Sequence, residues 1–470
     1  MNRVVDTRVQ AGIGIGVPEQ AAANPQAAVR PAPTQALDAV GRVGPLSGLP
    51  VLKSDLSNIH SWFPDDPVAA DRRIRALFEH AAIRHNALVE DFGSDNRAEI
   101  GRFLTHTDET GRSYFMNHLY LPAPAGKAEQ TIIIDAGVHG AEGPTGEAVI
   151  DLFIREKLDR MAPEQRAKTN VLILHSPNAW GRAHGFRFNH KKVDLNRQGL
   201  ARSAADQLTL AQHGIDEGYS FENLPPSDFD KVASFMSAQT PLRSITGHKL
   251  GILLGMGVGL TRLSYPDLIQ AVGGGQYVSD LGTLFGGKER EPEVNRAEEL
   301  IIRAVTGVRE LVVSSNHSGL GRRAELHMID NGRAPEDIAY AKELLGRNPA
   351  SHDWIYTNAE TPGFYNVPGD FTRIAERALK RYGARGPNGE RPRGAYFTVE
   401  WGTLGNAWHH KLETTQILAA MNRLHHQGAS DPKTEAKVQA MGRRLFDPDP
   451  AVDLQKARGE QPTSGTQWLS

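Results

Sequence analysis

Four short apolar runs in this chain each stop abruptly in polar residues flanked by glycine. They are TIIIDAGVHGAEG from residue 131, NVLILHSPNAWG from 170, ELVVSSNHSGLG from 310 and AYFTVEWGTLG from 395. Continuous branched runs of this length read as strands buried on both faces, as in a parallel or mixed sheet. Helical patterns lie around them. GEAVIDLFIREKL sets Val149, Ile150, Phe153 and Leu158 on one helical face, and DPVAADRRIRALFEHAAIRH keeps Val68, Ile74, Leu77 and Phe78 near helical spacing. GRFLTHTDETGRSYFMNHLYLPA reads as a hairpin turning at Asp-Glu-Thr-Gly. The class this implies is α/β, with a mixed, largely parallel central sheet flanked by helices. In such sheets ligands bind beyond the carboxyl ends of the strands. That is where the polar residues fall.

Composition removes several alternatives. The 470 residues carry 53 basic and 55 acidic side chains, a net charge of -2, which gives no electrostatic footprint for nucleic acid or an anionic membrane. No apolar run approaches the ~20 residues of a bilayer span. There is no cysteine, so disulfides, thiolate ligands and cysteine nucleophiles are excluded, and a metal must be held by His, Asp and Glu. The Ala/Pro/Gln-rich stretch 1–48 reads as a disordered leader, 49–430 as the catalytic domain, and 431–470 as a C-terminal helix and flexible tail.

The chemistry-bearing residues sit in the strand-end loops. In GVHGAEG, His139 and Glu142 are separated by two residues, and the glycines let an imidazole and a carboxylate converge on one ion. A catalytic zinc takes three protein ligands and leaves a position open. His317, in NHSGLG, ends another apolar strand and is the candidate third donor. Glu400, closing FTVEWGTLG, is an acid placed to take a proton from water; its bland alternative is a buried salt bridge. Arg187, Asn196 and Arg197, in NAWGRAHGFRFNHKKVDLNRQ, supply donors for a carbonyl or carboxylate.

GVHGAEG, NAWG…R…VDLNR, HSGLG and VEWGT, in this order, resemble the zinc carboxypeptidase (funnelin) superfamily. GGGQYVSDLGTLFGG, residues 273–287, is similar to a stretch in a poorly characterised bacterial branch of it. The likeness covers about residues 60–425. It implies that His139, Glu142 and His317 bind one zinc ion, and that Glu400 is the general base that activates the zinc-bound water. It also implies that Arg187 stabilises the oxyanion and that Asn196 and Arg197 hold a substrate carboxylate. The implied substrate is a peptide or protein C-terminus. One departure is Ser315, where the branch has an acid two residues before the third ligand. A carboxylate there would orient the histidine. The mobile-loop tyrosine of carboxypeptidases has two candidates, Tyr365 and Tyr382. Of the remaining histidines, His175 is expected nearest the site.

Two rival readings accompany this one. An aspartoacylase-like branch of the same fold hydrolyses N-acyl amino acids, and a binding protein can stand on a disabled peptidase scaffold. The arginines before Glu400, Arg381 and Arg385 among them, suggest a pocket for acidic side chains. Neither a nucleic acid nor a membrane is an expected partner. The leader and the absence of a signal-peptide pattern fit either a bacterial cytoplasmic protein or an effector exported into a host cell by a signal-peptide-independent route.

Overall fold

The structure is a computed structural model describing residue 63 and residues 66–446, apart from 216–217, 323–324, 347–353, 359–360, 362–365 and 406. The expected leader, the end of the expected tail and Tyr365 lie outside the described residues. The described residues fall within one compact unit, residues 37–470.

Eight strands form one sheet: β1 (Glu99–Thr107), β2 (Ser113–Leu121), β3 (Gln130–Ala136), β4 (Thr169–His175), β5 (Glu310–Ser318), β6 (Leu326–Asp330), β7 (Trp354–Asn358) and β8 (Arg393–Trp401). Their order is β1-β2-β4-β3-β5-β8-β6-β7. β4, β3, β5 and β8 run parallel, as do β6 and β7, while β1–β2, β2–β4 and β6–β8 pair antiparallel. The fold is thus α/β with a mixed, mostly parallel sheet, and the hairpin is present as β1 and β2. The short β6 and β7 are additions to the sequence reading.

The helices are α1 (Pro67–Asp91), α2 (Gly143–Leu152), α3 (Pro163–Arg166), α4 (Ala179–His184), α5 (Ala204–Gln212), α6 (Ala233–Met236) and α7 (Ile245–Gly259). After them come α8 (Tyr265–Gly273), α9 (Pro292–Val305), α10 (Pro335–Leu344), α11 (Thr372–Tyr382), α12 (Trp408–Gln427) and α13 (Pro432–Phe446). α1 starts where it does because Asp66 caps it, accepting from the Val68 N–H, and Pro67 follows with its φ preset.

Strand periodicity divides the core. Along β4, Val171 and Ile173 point to one side, with Ile74, Phe78 and Ile150 of α1 and α2. Leu172 and Leu174 point to the other, with Ile301 of α9 and Ile374 of α11. Val68, in the first turn of α1, is the one of the four apolar positions expected on this helix that is exposed. Among the described residues no helix is long and apolar enough to cross a membrane.

The face that carries α9 and α11 changes character toward the carboxyl ends of β3, β5 and β8. Leu311 and Val313 of β5 and Tyr396 of β8 belong to the core. The next residues of the same parity are Ser315 and His317 on β5, Thr398 and Glu400 on β8. In register, Asp135 pairs with Ser315, Ser315 with Thr398, and His317 with Glu400. Residues paired across neighbouring strands share a face. The sheet therefore delivers a row of polar side chains to one place.

Candidate metal centre and the cavity beside it

The loop after β3 is shaped by two glycines. Gly137 takes φ +80°, which a side chain rarely adopts, and Gly140 lies so close to the Gly181–Arg182 backbone of α4 that a Cβ would collide with it. The chain then makes a short 3-10 turn, Gly140–Glu142, before entering α2. This turn folds Glu142 back onto His139, so that His139 Nδ1 and Glu142 Oε1 are 2.9 Å apart. The end of β5 brings in His317, whose Nδ1 lies 2.9 Å from His139 Nδ1 and 3.0 Å from Glu142 Oε2. Donor atoms of all three residues lie within 4.8 Å of one another. All three are buried, at most 2 % exposed.

The tautomers follow from the partners on the far side of each ring. His139 Nε2 faces Asp194 Oδ1 at 3.1 Å. His317 Nε2 faces Ser315 Oγ at 3.0 Å, and the Ser315 hydroxyl donates to Asp135 Oδ1 at 2.8 Å. With each Nε2 carrying the hydrogen, both Nδ1 lone pairs turn toward the Glu142 carboxylate. Lone pairs converging in a buried space are the donor set a divalent cation satisfies. Two imidazoles and one carboxylate are an established catalytic zinc set. The residues present fit the metal.

Burial and then Arg187 lower the pKa of His139, but Glu142 and Asp194 together raise it further, so a proton on its Nδ1 competes with a cation for that lone pair. Burial opposes charge on Glu142, but His139 and His317 hold its carboxyl well below the usual range. Burial likewise opposes charge on Asp194, and Arg187 and His139 outweigh it. Burial lowers the pKa of His317, with His139 adding to the effect, although Glu142 works the other way. Asp135 is pushed up to about 8 by burial, opposed by the Ser315 hydroxyl and reinforced by Asp370.

Ser315 thus has a physical explanation. The acid sits on β3 rather than two residues before the ligand, and the serine bridges it to His317. Ser315→Ala breaks this bridge. It is expected to weaken metal binding about 10- to 100-fold, the usual effect of losing a group that orients a ligand. Competition with a chromogenic chelator measures it, and an unchanged affinity would remove Ser315 and Asp135 from this role.

Arg187 reaches the cluster from the loop after α4, its Nη1 donating to Glu142 Oε1 at 3.2 Å and its Nε to Asp194 Oδ2 at 3.1 Å. A cavity of about 710 Å³ opens here, bounded by His139, Arg187, Asn196, Arg197 and Glu400, and extending past His327 and Asp370. Its size suits a small ligand or a single terminal residue. Glu400 stands half-buried in its wall, and its Oε2 has no hydrogen-bond partner among the described residues. Burial, then the Glu142 carboxylate, push its pKa up to about 8. An opposite charge at the three donors would favour its ionised form. The salt bridge considered as its alternative is not among the ion pairs of the described residues.

Asn196 accepts the Phe371 N–H at 2.8 Å through Oδ1, so its amide NH₂ is the group left for a ligand. Arg197 is clamped by the backbone carbonyls of Asn196 at 3.0 Å and Gly273 at 2.8 Å, while its Nε is buried with no hydrogen-bond partner among the described residues. The Gly-Gln-Tyr stretch supports this arginine from behind. A Cβ at Gly275 would collide with the guanidinium, and the Tyr277 hydroxyl donates to Arg197 O at 2.5 Å.

Other sequence candidates lie elsewhere. His175 is held by Asn117 and Glu147 beneath the loop and does not line the cavity; the nearer histidine is His327, which pairs with Glu400 in register. Tyr382 packs against the core. Arg381 pairs with Asp206 at 3.4 Å, and Arg385 is bound to Gly389 O. Neither of these two arginines lines the cavity; Arg373 of the same segment does, paired with Glu376. Asp194 and Asp135 were missed as functional groups. The signal for Asp194 was its place two residues before Asn196 in VDLNR; Asp135 ends its strand as His317 and Glu400 end theirs.

Sheet, strand-end loops and buried His-Glu-His donors define an α/β protein with a candidate metal centre at the carboxyl ends of its parallel strands. The chain belongs to the family described as "Protein of unknown function (DUF2817)", whose model matches residues 73–452. No curated protein matches it in sequence. Solved structures similar to it include the carboxypeptidase A of Helicoverpa armigera, at 12% identity and TM-score 0.35, over 78% of this chain and 73% of that one. The metallo-carboxypeptidase of Burkholderia cenocepacia is similar at 12% identity and TM-score 0.32, over 73% and 67%. That of Pseudomonas aeruginosa is similar at 15% identity and TM-score 0.31, over the same shares. At these scores, the functional reading rests on the site.

Proposed function

We propose that this protein is a zinc-dependent hydrolase of the carboxypeptidase superfamily that cleaves a peptide or amide bond next to a C-terminal carboxylate. The observation that carries the reading is the convergence of His139, Glu142 and His317 within 4.8 Å, with Glu400 on the adjoining strand and facing the same cavity.

His139, Glu142 and His317 would hold one zinc ion per chain. When bound, the ion supplies Lewis acidity, polarising a carbonyl and making water more acidic. Every other role falls to the chain. Glu400, with one carboxylate oxygen uncommitted, takes the proton of the attacking water and passes it to the leaving amine. Arg187, fixed by Asp194 and Glu142, places positive charge beside the carbonyl oxygen where negative charge develops. Arg197 and the Asn196 amide offer N–H donors to the substrate carboxylate.

The test combines metal analysis with activity profiling of the full chain. About one zinc per chain is expected, together with loss of single C-terminal residues from a peptide library followed by mass spectrometry. Hydrolysis of N-acyl amino acids with peptides left intact would move the assignment to the amidohydrolase branch. Failure to retain a divalent metal after reconstitution would end the hydrolase reading altogether.

A further inference from the structure

Helix α7 turns apolar side chains outward. Its sequence is ITGHKLGILLGMGVG, and its inward residues Ile252 and Met256 pack with Phe235 and Leu268. Every exposed position from 250 to 260 is Leu, Val or Gly. Leu250, Leu253, Leu254, Val258 and Leu260 are between 40% and 61% exposed. Residues 250, 254 and 258 follow one another at four-residue spacing, with 253 and 257 beside them, so they form one stripe. The largest continuous apolar patch on a protein surface is often an interaction site.

The glycines point the same way. Gly255 and Gly259 have an internal reason, because a Cβ would collide with Phe235 or Leu268. Gly251 and Gly257 have none: a Cβ at either would meet nothing within 4 Å. Glycine weakens a helix relative to alanine. Two such residues on the exposed stripe are explained by another backbone that must come close.

We propose that α7 is the self-association surface of this protein, pairing antiparallel with α7 of a second copy about a two-fold axis at Leu254. The stripe is self-complementary under that operation, as an isologous interface must be. Leu250 meets the partner's Val258, Gly251 meets the partner's Gly257, and Leu254 meets its own copy between the two glycine pairs. Lys249 is the only Lys, Arg, Asp or Glu on the helix. It falls beside the C-terminal end of the partner's helix, where the helix dipole favours a cation. The five exposed side chains present roughly 400–500 Å² per copy, so the helix pair alone buries at most about 1,000 Å², at the lower limit for a specific interface. A membrane-surface helix would carry Lys and Arg along its polar face, and α7 does not.

The chain has no cysteine, so Leu254→Cys introduces a single thiol on the proposed axis, with Leu208→Cys on α5, 70% exposed against 61%, as the control. The full chain is expected to dimerise in the micromolar range by sedimentation, and Leu254→Cys to form a disulfide-linked dimer at least ~10-fold faster than Leu208→Cys. Leu254→Lys sets like charges face to face and is expected to raise the dimer dissociation constant at least ~10-fold, with an unchanged circular dichroism spectrum. A monomer at ~100 μM with equal cross-linking of the two cysteine variants would overturn the proposal. So would a dimer indifferent to Leu254→Lys, or a monomer that pellets with phosphatidylcholine/phosphatidylglycerol vesicles through α7.

Discussion

Glu400→Gln is expected to keep its zinc and its fold while losing at least ~100-fold in turnover, the scale of a positioned acid or base. The side chain is not one of the three metal donors, and its Oε2 has no partner to lose among the described residues. Burial and the Glu142 carboxylate both oppose its charge, so a neutral amide of the same shape costs no stability. Thermal unfolding should therefore be unchanged or shifted slightly upward, a stability–activity trade-off familiar at catalytic acids. Equal turnover in the wild type and the variant would remove Glu400 from its assigned step. A variant that unfolds at lower temperature would mean the carboxylate is structural.

Glu142→Ala is expected to be more disruptive. Glu142 is the hub of the cluster: it meets both imidazoles, accepts Arg187 Nη1, and takes the Ser318 N–H at 3.1 Å. Removing it leaves two histidines and an arginine facing one another in a buried space. Breaking such a buried charged network costs about 3–5 kcal/mol. Two protein donors remain of three, so zinc affinity should fall by more than ~100-fold. Added zinc stabilises the native state in proportion to its binding, so it should raise the unfolding temperature of the wild type and not that of the variant. A variant that still gains stability from stoichiometric zinc would show that the ion sits elsewhere.

These expectations rest on residues of unequal legibility. His139, Glu142, His317 and Glu400 were legible because each ends a run of apolar residues in a glycine-bearing loop, and buried strands that end in polar side chains advertise a site at the sheet's edge. Arg187, Asn196 and Arg197 were legible as motif neighbours. What each one touches was not. The motif offers Arg197 as a free clamp, whereas the fold commits two of its nitrogens to the carbonyls of Asn196 and Gly273 and sets the Gly-Gln-Tyr stretch behind it. His175 looked closest to the site by sequence. His327, on a strand too short to read, is the one that lines the cavity.

Ser315 marks the boundary between the two kinds of information. By sequence it is a missing acid. In the sheet, parallel pairing of β3 with β5 puts Asp135 directly across from it, and the hydroxyl carries the carboxylate's influence to His317. No local pattern encodes that pairing, because it joins residues 180 positions apart. α7 shows the same limit from the other side: only the packed structure reveals which of its faces is left uncovered.

The sequence by itself determined the α/β class, six of the eight strands and the residue types able to hold a metal, since these follow from local periodicity and from side-chain chemistry. Strand order, register and the resulting neighbours were decided only by the tertiary structure, because they depend on which distant segments share a face of one sheet.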